Sequence, residues 1–94
     1  MSLHYGLEKF KAALLVLVGP GDIHARLKAA VSQHLIHLSP SNDVPEIIKD
    51  QLHELLNQYH ESCNEKIGAL NEHDAENLTK HIVDMHCQWL ESLH

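Results

Sequence analysis

The sequence predicts an all-α protein, an antiparallel up-down four-helix bundle, and three observations carry that reading. Apolar residues recur every three or four positions along most of the chain, the repeat of one helix face. Three clusters of turn-forming residues interrupt it: Gly19-Pro20-Gly21-Asp22, the stretch from Ser39 to Pro45, and Asn71-Glu72-His73-Asp74. The connections so defined are short, which makes consecutive helices antiparallel neighbours. The expected helices cover about residues 3–18, 22–38, 45–70 and 75–93 of a single domain, 1–94.

The first helix places Leu3, Leu7, Phe10, Leu14 and Leu17 at alternating steps of four and three. Its last two turns are apolar on every side, which calls for deep burial or a contact between subunits. Lys9 and Lys11 before that apolar run resemble a signal-peptide flank. Glu8 and the helical spacing that precedes the run favour an ordinary helix. Gly19-Pro20-Gly21 stops it, proline breaking the hydrogen-bond ladder, and Asp22 caps the second helix. The second helix turns Ile23, Leu27, Val31, Leu35 and Leu38 inward and Arg26, Gln33 and His37 to water.

Ser39-Pro40 ends it, and Pro45 with Glu46 starts the third, proline suiting a first turn and glutamate the positive helix end. Ile48, Leu52, Leu55, Tyr59, Cys63, Ile67 and Leu70 mark its inward stripe. A straight rod over 45–70 would be roughly 39 Å long, against about 24 Å for the first helix. It must bend near Ser62 to Asn64 or project. Asp74 is the expected cap of the fourth helix, whose Leu78, Ile82, Met85, Trp89 and Leu93 face inward, with Val83, His86 and Leu90 widening the face. The apolar faces of the first and fourth helices exceed the needs of one small bundle. A homodimer would use the excess.

Charge is split between the halves. Residues 1–38 carry four basic groups against two acids, whereas residues 39–94 carry three lysines against eleven acids, for a net charge of −6. An acidic half repels phosphate, so neither nucleic acid nor an anionic membrane is the expected partner. The helix-turn-helix reading of residues 3–38, with Arg26 and Lys28 on its second helix, fails on the same ground. No apolar run approaches the roughly 20 residues of a membrane span. A protein with a basic surface is the expected partner, and Asp50, Glu54, Glu61 and Glu65 are its candidate contacts.

The ten histidines are the compositional oddity; protonating all of them would move the net charge from −6 to +4. If the third and fourth helices pair about residue 72, His60 is level with Asp84 and Cys63 with His81. His24 also falls near the level of His60. The alternative function is therefore a zinc-binding bundle using His60, Cys63, His81 and Asp84, since imidazole and thiolate are good tetrahedral zinc ligands. Against it, ten scattered histidines align by chance, and no two are spaced i, i+4. His4, His34 and His37 gather at one bundle end, where solvated side chains are the ordinary outcome.

The same levelling sets Cys63 and Cys87 about 9 Å apart along the axis, beyond the reach of a disulfide. Both are read as reduced thiols of a cytosolic protein. They lie among apolar residues that do not activate a thiolate, and there is no glycine-rich phosphate loop, so catalysis is not expected and no cofactor beyond possible zinc is implied.

Overall fold

The structure, a computed structural model, describes residues 3–93; the ends of the expected domain, residues 1, 2 and 94, lie outside the described residues. It is compact and all-helical among the described residues, with five α-helices where four were predicted. They are α1 (Leu3–Leu17), α2 (Ile23–Gln33), α3 (Glu46–Tyr59), α4 (Cys63–Gly68) and α5 (Glu72–Ser92), with a 3-10 turn at Leu35–His37. α2 is the hub: it packs on α1, α4 and α5, while α3 lies along α5.

Asp22 caps α2 as expected, its Oδ1 accepting the Ala25 N–H at 2.9 Å. That bond holds the Asp22 carboxyl below its ordinary value. Gly21 makes the preceding turn possible at φ 105°. Arg26 does not simply face water: its Nη1 donates to the Leu17 carbonyl at 2.7 Å, satisfying an orphan acceptor at the end of α1. α2 stops five residues before the predicted end. Leu35 and Leu38 are nonetheless buried, because a 3-10 turn brings residues three apart onto one side. The loop beyond is closed by Asp43, whose Oδ2 accepts the Ser39 N–H at 2.8 Å and whose own N–H donates to the Ser39 carbonyl at 2.8 Å.

The predicted third helix is two helices. The chain breaks at residues 60–62, where Ser62 takes a left-handed conformation (φ 54°) before α4 begins. Molecular size gives the reason: the longest extent is 35 Å, so a straight helix from 45 to 70 would protrude and expose Ile67. The break folds α4 back onto α2 and buries Cys63 and Ile67. Lys66 Nζ donates to the Gln58 carbonyl at 3.1 Å, tying α4 to the end of α3 across the break.

α5 starts three residues before the predicted position. Asn71, not Asp74, is its cap, with Oδ1 accepting the Asp74 N–H at 2.7 Å. The core lies between α5, α3 and α2 and is built from Ile48, Leu52, Leu27, Val31, Ile82 and Met85. Phe10 meets Trp89 edge-on at 5.8 Å and stacks on His86 at 6.4 Å, locking α1 to α5. Gln51 Nε2 donates to Gln88 Oε1 at 3.0 Å and sets the register of α3 against α5.

Candidate partner-binding surface

α3 is strongly amphipathic. Ile48, Leu52, Leu55 and Tyr59 are buried, so Asp50 and Glu54, one turn apart, stand on the exposed side. Glu61 and Glu65 are exposed too, but the break separates them from the first pair. A continuous helix would have lined up all four acids. Here Asp50 and Glu54 lie on α3, Glu61 sits in the break and Glu65 lies on α4. Glu61 borders a cleft of about 380 Å³ with Asn57, His60 and Lys66. Asp50 borders a second, of about 490 Å³, with Pro40, Ser41, Lys49 and His53.

The acids are not neutralised from within. Among the described residues the only contact of this kind is His4 with Glu8 on α1, at 3.3 Å, an ion pair only when the imidazole is protonated. His4, read with His34 and His37 at one bundle end, is exposed. His37 there is exposed, whereas His34 is half-buried, its Nδ1 enclosed without a hydrogen-bond partner.

The residues read as zinc ligands are not gathered. Among the described residues no three His, Cys, Asp or Glu side chains are grouped to hold a metal ion. The levelling assumed a third helix running alongside α5 to residue 70; α3 ends at Tyr59, and Cys63 belongs to α4, which turns onto α2. His60 is exposed and His81 half-buried. Asp84 is exposed and accepts from Gln88 Nε2 at 2.8 Å. His24 Nε2 lies 2.7 Å from the Leu70 carbonyl, which can only accept, so that nitrogen carries the proton and is not free to bind a metal. Burial raises the pKa of the Cys63 thiol, away from the thiolate a metal requires. Cys63 and Cys87 are both free thiols.

Two apolar surfaces stay uncovered. Leu15 (62% exposed), in the last turn of α1, and Val18 (77%), just beyond it, face out, so deep burial does not account for the all-round apolar turns. On α5, Val83 and Leu90 stand out at 39% and 41%, beside a half-buried His86. Periodicity placed them on the widened inward face; the structure puts His86 against Phe10 and leaves its two neighbours outside. The sequence reading also missed Gly6, where α1 meets the loop before α3. A Cβ there would run into the Asp43 carbonyl and come within 3.1 Å of the Trp89 ring. A glycine in the middle of an otherwise good helix was the available signal.

Among the described residues no helix is long and apolar enough to cross a membrane. In comparison with known proteins, no family model, no curated protein and no solved structure matches this chain.

Proposed function

We infer that this chain is a small non-catalytic interaction domain, a homodimer that offers an acidic surface to a basic partner protein. It is an antiparallel bundle in which α3 and α4 share the place of one rod, and it works in the cytosol, where Cys63 and Cys87 stay reduced. One observation carries the reading: Asp50, Glu54, Glu61 and Glu65 are all exposed, and none is engaged in an ion pair among the described residues. Exposed carboxylates without internal counter-ions leave their field available to steer an oppositely charged surface. The uncovered apolar residues of α1 and α5 support the homodimer, since interfaces between identical subunits are more apolar than ordinary surface.

The test is co-purification from cell extract at low salt with wild-type bait and with a bait carrying Asp50→Lys, Glu54→Lys, Glu61→Lys and Glu65→Lys. A basic protein should be retained by the first bait only and released as salt rises, because exposed charges are screened within about 8–10 Å at physiological ionic strength. Retention unaffected by both salt and charge reversal would remove the acidic surface from the reading. Native mass spectrometry of the untagged chain reports the subunit count.

A further inference from the structure

We propose that two copies of this chain join by exchanging α4 and α5, the break at residues 60–62 opening so that α3 runs on into α4 as one helix. This rests on the homodimer reading and names how the two copies meet. Three observations mark the break as a hinge. It is short, only residues 60, 61 and 62 lying between Tyr59 and Cys63. It is strained: among the described residues Ser62 is the only non-glycine residue at positive φ, 54°, and its side chain makes no capping bond to the start of α4. Third, nothing in the sequence stops the helix there. Ile48, Leu52, Leu55, Tyr59, Cys63 and Ile67 are buried at steps of four, three, four, four and four, the spacing of one uninterrupted helix. His60 is already helical (φ −62°, ψ −46°), and residues 60–62 are exposed and include neither proline nor glycine. A short hinge under strain is the kind that favours exchange between copies.

Opening the hinge uncovers surfaces that a second copy of this chain fits by construction. α4 leaves α2, against which it buries Cys63 and Ile67, and α5 leaves α1, α2 and α3. The matching surfaces are the same elements of another copy. Every contact between the two exchanged parts then re-forms across the pair: Phe10 with Trp89, Gln51 with Gln88, and His24 with the Leu70 carbonyl. A different protein would have to reproduce all of them. Only the hinge itself changes. Lys66 Nζ releases the Gln58 carbonyl, which in a continuous helix accepts from the Ser62 N–H instead. Ser62 at the same time leaves the left-handed region. Dilution opposes the exchange, because a chain that closes on itself needs no second copy.

The full chain, Ser62→Gly and Ser62→Ala are unfolded in urea, refolded over a range of concentrations and separated by size-exclusion chromatography; circular dichroism confirms that each is folded. Glycine accepts the left-handed turn and is a poor helix residue, so Ser62→Gly should weaken dimerisation about tenfold or more. Alanine is no better in the turn but is the best helix former, so Ser62→Ala should strengthen dimerisation severalfold. The exchange itself is read from Gln51→Cys and Gln88→Cys placed together in a Cys87→Ser chain and joined by a short bis-maleimide, since these positions are partners across α3 and α5. Cys63 is buried and is spared. On a denaturing gel the dimer fraction should give a covalent dimer and the monomer fraction a chain linked to itself; either single cysteine should give neither. A monomer at every concentration overturns both the homodimer and the exchange. A dimer whose links all lie within one chain overturns the exchange alone and leaves dimerisation to another face. Links between copies in a dimer that ignores both Ser62 substitutions overturn the break as the hinge.

Discussion

At Gly6 a single side chain's absence decides how α1 can dock. Glycine inside a helix costs about 1 kcal/mol relative to alanine, so the first turns of α1 would gain from alanine if nothing lay opposite. The Asp43 carbonyl and the Trp89 ring do lie opposite, and backbone cannot step aside as a flexible side chain can. Gly6→Ala should therefore destabilise the protein by about 1–3 kcal/mol, the usual cost of overpacking, measured as a lower urea midpoint with an unchanged slope. A midpoint at or above wild type would show that α1 does not approach the loop so closely. Cys63 makes a second residue-scale case. Its thiol is buried and its pKa raised by desolvation, so alkylation of the native protein at neutral pH should spare Cys63 until urea exposes it. Rapid native labelling of Cys63 would contradict that burial. Only one of the two shows in periodicity: Cys63 sits on the inward stripe, whereas Gly6 is a helix interruption whose partner is some forty residues away.

The elements that follow from local rules were legible, and those that depend on distant packing were not. The stop at Gly19-Pro20-Gly21, the Asp22 cap and the start at Pro45-Glu46 all rest on backbone chemistry within a few residues, whereas α2 ends at Gln33, ahead of Ser39-Pro40. The break at Ser62 does not rest on such local chemistry. Cys63, Ile67 and Leu70 continue the stripe of α3 at perfect helical spacing, and only the length of the other helices argues against continuing the rod. Serine gives no warning of a left-handed residue as glycine would. The levelling that set His60 beside Asp84 and Cys63 beside His81 assumed that continuous rod. A left-handed conformation costs an ordinary L-residue about 1–2 kcal/mol, which glycine avoids. Ser62→Gly should accordingly stabilise the protein by about 0.5–1 kcal/mol once the greater freedom of glycine in the unfolded chain is deducted. Ser62→Val should destabilise it. Urea titrations of the two variants give the comparison, and a loss of stability in Ser62→Gly would mean that the break is not held by this residue's backbone.

On the scale of the whole molecule, the histidines couple the fold to pH, and the sign follows from where two of them lie. Burial lowers the pKa of His86 below its ordinary 6.5, on the edge of the core where its ring stacks on Phe10. His34 is lowered too, first by desolvation and then by the charges of Lys9 and His37 facing it from α1 and the 3-10 turn. Protonation would add a second buried N–H to a ring whose Nδ1 already lacks a partner. For both residues the unfolded chain binds the proton more readily than the folded one, so the unfolded state holds more protons wherever they titrate. Stability must then rise with pH through this range; their contribution is present above about pH 6.5 and is lost as pH falls below it. Urea midpoints measured from pH 7.5 down to pH 5 should decline in wild type. His86→Phe, which keeps a ring against Phe10 but cannot take up a proton, should decline less over the same interval. A midpoint that stays level or climbs on acidification would mean that neither imidazole is shielded as the packing implies. The acidic surface adds a consequence for binding in the same direction. As histidines protonate, the net charge moves from −6 toward positive values, so a basic partner drawn by Asp50, Glu54, Glu61 and Glu65 should bind less tightly at pH 5.5 than at pH 7.5. Stability and partner affinity therefore fall together on acidification, and the His86→Phe variant separates them: it should recover part of the lost stability while leaving the loss of affinity almost unchanged, since it removes only one of the ten titrating charges.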